Sequence, residues 1–355
     1  MKKSAQRILG VVLLLVLATT CYGDQSDAED AKYLELQKQI EGLQQEMTQM
    51  REEAEARKKL EITEEEKAET GKDVLSAAGR QYTLLQKDTL EVEYRFDYTY
   101  FSYDVVANAS SIEHHSNHNL TNTITIDYPF FDNLTLNAAI PFIYKYDQTG
   151  TDNSKEVSDF GNISFGAQWQ PMKSGGDFPT TILYGTLTTP TGRSPYEINP
   201  DQDIPTGTGY YSATGGVSLS GTIDPLVAFG GLSYTHNFEA DNLHQRRSGG
   251  RVLVKVDPGD SIGLNLGIGY ALSYKANLNL SYQYSYGFES QYEFEDGTTK
   301  TGTTTSSIFT IGTGWHPSPK RSFNISLGIG LTNDDPDFTF TVRIPFDFQL
   351  GSSSS

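Results

Sequence analysis

One cysteine in 355 residues, Cys21, rules out an intrachain disulfide. Long apolar runs are missing too. The only sustained one, Ile8–Leu17, is about half the roughly 20 residues that a helix needs to cross a bilayer, so no transmembrane helix is expected. Basic residues are scarce: 27 Lys and Arg stand against 45 Asp and Glu. The resulting net charge of -18 argues against nucleic acid as a partner, because such binding calls for basic patches. Mean hydropathy of -0.44 and 37% hydrophobic residues resemble a soluble protein. They do not exclude a membrane barrel, which needs apolar residues at only every second strand position.

The apolar run follows Lys2, Lys3 and Arg7 and precedes the small residues Ala18, Thr19 and Thr20, the pattern of a secretory leader spanning 1–23. Leu17-Ala18-Thr19-Thr20-Cys21 loosely resembles a lipoprotein cleavage box, with an atypical Thr before the cysteine. Cys21 is expected in or beside the discarded leader.

Residues 24–70 contain no proline and are rich in Glu, Gln, Lys and Ala. Tyr33, Leu36, Ile40, Leu43, Met47, Met50 and Ala54 fall at the spacing of a coiled-coil seam, so self-association into a homo-oligomer is expected. Ile40 at an a-type position and Leu43 at d lean toward a dimer. Gly71 is read as the end or hinge of this helix. In the adjoining segment, 71–87, Asp73 is a candidate N-cap for a short helix carrying Val74, Leu75, Ala77, Ala78 and Arg80. It is either an ordinary linker or a plug folded into the mouth of a barrel built from the strand-patterned residues beyond it.

From Asp88 to Leu350 the period changes to two. Leu90, Val92, Tyr94, Phe96, Tyr98 and Tyr100 alternate with Glu91, Glu93, Arg95, Asp97 and Thr99, which only an extended strand sorts onto two faces. Twelve strands are predicted: 88–104, 118–128, 133–147, 159–170, 179–189, 209–223, 226–238, 260–272, 277–288, 306–316, 322–331 and 337–348. Connections alternate between tight, such as Pro129–Asp132, and long and polar, around 105–117, 148–158, 190–208, 239–259 and 289–305. Aromatics gather near strand ends, at Tyr128, Phe142, Tyr144, Tyr146, Trp169, Phe288 and Phe346, where a bilayer takes interfacial girdles. The expected fold is all-β, a twelve-stranded antiparallel transmembrane β-barrel with an N-terminal α-helical coiled coil. Both ends would lie on the tight-turn side, placing the coil in the periplasm of a bacterium and the barrel in its outer membrane, among lipid and lipopolysaccharide.

Charges on such strands must face the lumen, because Arg facing lipid at mid-bilayer costs about 2 to 4 kcal/mol. Glu91, Glu93, Arg95, Asp97, Asp127 and Arg343 are therefore lumen residues, and barrel closure is expected to bring Glu93 near Arg343. In the cluster His114-His115-Ser116-Asn117-His118, residues 114–117 fall in a predicted loop and resemble the His-x-Ser-Asn motif of outer-membrane phospholipase A without its flanking glycines. A polar loop accounts for the histidines without zinc, and no catalytic residue, metal or cofactor is expected. Glu289, Glu293, Glu295, Asp296, Asp334 and Asp335 crowd the outer loops, either as solvated surface or as ligands for divalent cations.

Leu84 to Glu93, Ile140 to Asp147, Pro190 to Tyr196, Asp224-Pro225 with Phe229-Gly230, and Asp257 to Gly263 recur in order. Together they resemble the phenol-degradation meta-pathway (MetA-like) family of outer-membrane proteins, above all its functional-amyloid secretion channels. That resemblance spans roughly 84–348 and implies a periplasmic trimeric coil, with residues 33–54 and 73–80 matching coil and plug. It implies gated export of an unfolded, amyloid-type subunit. Other members are associated with uptake of hydrophobic or aromatic small molecules, which is the alternative; surface lipid hydrolysis is a distant third.

Overall fold

The computed structural model describes residues 64–350 apart from 109–110, 151–152, 173–178, 201, 224–225, 274 and 319–320. The expected leader, Cys21, the coiled-coil residues Tyr33, Leu36, Ile40, Leu43, Met47 and Met50, and the tail 351–355 lie outside the described residues. In chain order the elements begin with helix α1 (Glu64–Ala78) and the 3-10 turn η1 (Arg80–Tyr82). Next come the strands β1 (Thr89–Asn108), β2 (Ser111–Phe131), β3 (Leu134–Thr149), β4 (Asn153–Phe160), β5 (Ser164–Trp169), β6 (Thr180–Thr188), β7 (Ser212–Ile223) and β8 (Leu226–Asn237). The second half has β9 (Gln245–Arg246), the turn η2 (Ser248–Gly250), β10 (Val252–Asp257), β11 (Ser261–Ser273), β12 (Ala276–Gly287), β13 (Gln291–Phe294), β14 (Gly297–Lys300), β15 (Thr304–Ser318), β16 (Arg321–Gly330) and β17 (Phe338–Gln349). No described helix is long and apolar enough to cross a membrane.

Thirteen strands form one antiparallel sheet in the order β2-β1-β17-β16-β15-β12-β11-β8-β7-β6-β5-β3-β4, and pairing of β2 with β3 closes it. β4 pairs with the outer half of β3 and β5 with its inner half, so the two are one interrupted stave of a twelve-stranded barrel. The register sets the faces. Tyr94 lies opposite Ile124 and Ile344, and Phe96 opposite Val342, so one face is largely apolar across the seam, with Asn122 opposite Phe96 as a polar interruption that accepts from the Tyr94 hydroxyl. Ile124, Ile126, Leu232, Leu266, Ile325 and Leu327 stand exposed on that outer surface, an arrangement that suits hydrocarbon and not water. Aromatics band its two ends. Phe130 with Phe131 and Trp315 with Phe323 pack at the tight-turn end, while toward the other Tyr98, Tyr100 and Tyr146 surround His118 and Phe338 packs on Tyr98 and Tyr100.

Three expectations are corrected. The loops drawn at 105–117 and 148–158 are mostly strand, because β1, β2, β3 and β4 continue their ladders outward. A stretch of strand beyond the bilayer needs no apolar face, so its period is muted. The connections 239–259 and 289–305 are not wholly irregular: they contribute a second, four-stranded sheet in the order β14-β13-β10-β9. It has its own core of Leu253, Val256, Tyr196 and Ala240, flanked by Tyr210, Leu243, Tyr292 and Phe294. The β-branched run Val252 to Val256 was the overlooked signal. Finally, Gly71 neither ends nor hinges a helix, and Asp73 caps none, because α1 runs unbroken through both. Gly71 is buried within α1, where tertiary packing outweighs a penalty of about 1 kcal/mol for glycine.

Candidate functional site: the plugged lumen

Helix α1 ends at Ala78, where the Gly79 N–H closes on the Leu75 carbonyl at 3.0 Å and the backbone becomes extended. The segment lies against inward-facing strand residues. Asn277 of β12 donates to the Asp73 carbonyl at 3.4 Å, and the Asp73 carboxylate is 4.0 Å from His316 of β15. Both partners are near the tight-turn end. Tyr82 in η1 donates to Asn265 at 3.0 Å, well past the middle of β11 from its tight-turn end, so residues 73–82 enter from the tight-turn side and are deepest at η1. Leu84, Leu85 and Gln86 then lead back toward Asp347 and Gln349 at the mouth.

Glycines make the seat. A Cβ on Gly269 would lie 2.1 Å from Val74 Cγ1, and one on Gly314 would lie 2.9 Å from Ala77 Cβ. Only bare backbone lets the helix come this close.

Charge holds the turn beyond the helix. Arg80 pairs with Asp127, and its Nη1 is 3.9 Å from Glu93. Arg343 grips the same Glu93 through Nε at 3.0 Å and Nη2 at 2.8 Å, and donates Nη1 to the Ser76 carbonyl at 3.2 Å. That contact puts a cation against the negative end of the α1 dipole. Glu93 is only 1% exposed, which it tolerates because two guanidiniums face it. Arg95 pairs with Asp97 at 2.7 Å, and Asp97 accepts from Thr341 at 2.8 Å. Cavities remain in the bore on either side of this charged layer. One of about 560 Å³ is lined by Ala77 to Gln81 and residues such as Arg95, Asn279 and Thr341; another of about 320 Å³ is lined by Leu84, Leu85, Glu91 and Asp347. Arg80 and Arg343 border both, so the charged layer divides the bore.

Glu93, Asp127, Arg343 and Arg80 thus converge, Glu91 borders the lower cavity, and Arg95 with Asp97 forms a separate pair. Val74 and Ala77 meet the wall, Leu75 closes the helix end, and Asp73 reaches it through its carbonyl. The sequence reading missed Tyr82. It is 2% exposed, with its ring 4.7 Å from Phe229 of β8. Burial, opposed by a hydrogen bond from Gln81, pushes its phenol up to about 12, so it stays protonated and donates. Phe229, Val227 and Ile182 form buried apolar points on the inward face of an otherwise polar bore. A legible signal existed: Leu226-Val227-Ala228-Phe229 and Ile182-Leu183 are apolar on both faces, where the two-residue period lapses.

The histidine cluster lies in β2, not in a loop, and the strand separates its members. Successive side chains alternate in side, so Asn117 reaches Asp147 while His114 binds Asp104 at 2.8 Å and His118 binds the Tyr98 hydroxyl at 2.8 Å. No cluster of His, Cys, Asp or Glu suited to a metal occurs among the described residues. Of the acidic loop residues, Asp296 holds Arg251, and Asp335 accepts from the backbones of Ser307, Leu331 and Thr332. Burial works to raise the Asp335 pKa, but hydroxyls of Ser306 and Thr332 and these N–H groups outweigh it and bring it to about 2.

A closed twelve-stranded barrel, apolar outside and polar inside with a helix seated in its bore, has the fold of an outer-membrane channel of the porin-like class. The model of the family described as the MetA-pathway of phenol degradation matches residues 95–348, and the chain belongs to that family. An outer membrane channel from Pseudomonas putida F1 has a similar fold, with a TM-score of 0.55 at 17% identity over 76% of this chain and 98% of that one. Looser matches are the translocator domain of autotransporter NalP from Neisseria meningitidis (TM-score 0.42, 13% identity, 79% of this chain and 96% of that one) and the CymD monoaromatic hydrocarbon channel (TM-score 0.40, 11% identity, 79% and 93%). None of these singles out the amyloid-secreting branch of the family.

Proposed function

We propose that this protein is a passive, non-enzymatic uptake channel for small hydrophobic or aromatic molecules in the bacterial outer membrane, closed at rest by its own residues 66–87. The observation that carries this reading is the set of inward apolar residues Ile182, Val227 and Phe229 in a bore that a purely hydrophilic porin would keep wet. Those lumen cavities, about 560 and 320 Å³, are of the size that takes one small ligand. Export of an unfolded polypeptide would require α1 and η1 to leave the bore entirely, and is the weaker reading.

Entry of the hydrophobic dye N-phenyl-1-naphthylamine into lipopolysaccharide-bearing cells tests the proposal. Cells producing the full chain should take up the dye faster than cells with an empty vector, with no matching gain in the entry of a charged β-lactam. Equal dye entry in the two strains would overturn it.

A further inference from the structure

Beside the small outer sheet lies a hollow of about 680 Å³, bordered among others by Tyr196, Asn242, His244, Arg246 and Arg247. Its lining comes wholly from the connections that follow β6 and β8, both of which end on the long-loop side of the barrel. The hollow therefore stands beyond the outer face of the bilayer, at the level of the sugars of the surrounding lipopolysaccharide.

Its frame is fixed in advance. Gln245, 7% exposed, donates Nε2 to the Pro195 carbonyl at 2.8 Å and to the Ile198 carbonyl, tying one connection to β9. The Arg247 N–H bonds to the Arg251 carbonyl at 2.8 Å, and Gly249 and Gly250, both at positive φ, turn the chain back directly after it.

The charge on this frame is the unusual part. Elsewhere on the outer side cations are committed: Arg193 to Asp203, Arg251 to Asp296, Lys255 to Glu239 and Lys300 to Glu289, while Lys145 and Lys155 donate to the carbonyls of Pro205 and Pro200. Neither Arg246 nor Arg247 has an ion-pair partner among the described residues, in a chain whose 45 acidic residues outnumber its 27 Lys and Arg. Glu197 also borders the hollow and leaves it with a surplus of positive charge. Guanidiniums present paired N–H donors that match the oxygens of a phosphate, and the volume is in the range that takes a small ligand.

We propose that this hollow docks the phosphorylated sugars of a neighbouring lipopolysaccharide molecule, with Arg246 and Arg247 as the phosphate clamp. The inference is independent of the uptake reading.

The full chain, refolded in detergent free of lipopolysaccharide and then titrated with the purified lipid by thermophoresis, tests it; heat-modifiable mobility on a gel checks that each variant is folded. The wild type should bind saturably, and roughly tenfold more weakly once the lipid has been dephosphorylated, the value of about one charge-assisted hydrogen bond. The double variant Arg246→Gln/Arg247→Gln should lose a similar factor. Lys255→Gln removes an outer cation already held by Glu239 and should bind as the wild type does. Equal affinity for the intact and dephosphorylated lipid would overturn the proposal, as would an undiminished affinity in the double variant. An equal loss in Lys255→Gln would also sink it, by showing attraction to the whole surface and no particular clamp. So would inorganic phosphate binding as tightly as the lipid, the mark of a site for a free anion.

Discussion

The wall of the barrel and the segment that fills it are held by opposite means. Each wall strand is zipped along its length by backbone pairs, as β1 is to β17 from Thr89↔Gln349 to Tyr100↔Phe338, and apolar cross-strand rows cover its outside. The plug has a few side-chain contacts, one charged layer and a glycine-lined seat. That seat is imperfect. Both amide atoms of Asn324 and the Oδ1 of Asn279 are buried without hydrogen-bond partners among the described residues. Asn324 pairs with Gly314, where Ala77 packs, and Asn279 pairs with Gly269, beneath Val74 through that residue's missing Cβ. Each orphan group costs about 1 to 3 kcal/mol. A cooperative wall with a marginally seated occupant is a combination that allows opening without unfolding.

Deleting residues 73–82 should break the comparison most sharply. The wall owes nothing in its ladder to these residues, so the barrel should keep its heat-modifiable mobility while single-channel conductance in planar bilayers rises several-fold. Unchanged conductance would end the idea that the segment closes the bore.

Next in size is Glu93→Ala. It would leave Arg343, and in part Arg80, facing each other without their shared carboxylate, a loss worth about 3 to 5 kcal/mol for a buried pair. Wall and plug should both suffer: the urea midpoint of unfolding should fall, and conductance should become noisier as η1 loses an anchor. A midpoint equal to that of the wild type would show that Glu93 merely fills space.

Gly269→Ala separates the two regions without touching any charge. The new methyl would meet Val74 and Asn279, and overpacking of this kind costs about 1 to 3 kcal/mol. The cheapest relief is for Val74 to back away. Open probability should therefore rise while the unfolding midpoint barely moves. Gly215→Ala, where a Cβ meets nothing within 4 Å, is the control and should change neither.

How far each region could be read from the sequence reflects the same contrast. Period-two alternation encodes a wall directly, since Leu278, Leu280, Tyr282, Tyr284 and Tyr286 must share one face whatever lies around them. Lumen charges followed from the cost of placing them in lipid. The partnership of Glu93 with Arg343 followed from closing the first strand on the last. The plug's contacts are long-range and individually chosen: Tyr82 with Asn265, Ser76 with Arg343. No local period announces them. What the sequence did carry was indirect, as inward glycines at Gly267, Gly269, Gly312 and Gly314 that clear room, and apolar residues intruding on the wet face at Val227 and Phe229. Lapses in alternation pointed to the occupant more clearly than the occupant's own residues did.

The smallest effect concerns a turn of the wall itself, where Asp335 ties Thr332 and Leu331 to Ser307. Its carboxylate sits well below the usual aspartate range, at about 2, despite the opposing effect of burial. A depressed native pKa gives stability that is full above the ordinary aspartate value of about 4 and fades as pH falls through about 2. Protonation should therefore loosen this turn by an amount on the order of 1 kcal/mol in that window and leave the distant plug untouched. Hydrogen exchange at the amides of Ser307, Leu331 and Thr332, corrected for its intrinsic pH dependence, should quicken between pH 4 and 2 in the wild type. In Asp335→Asn the exchange should be fast already at neutral pH and lose that extra dependence. If acid instead released the plug at this step, with conductance rising in the wild type but not in Asp335→Asn, wall and occupant would be coupled and the division drawn between them would not hold.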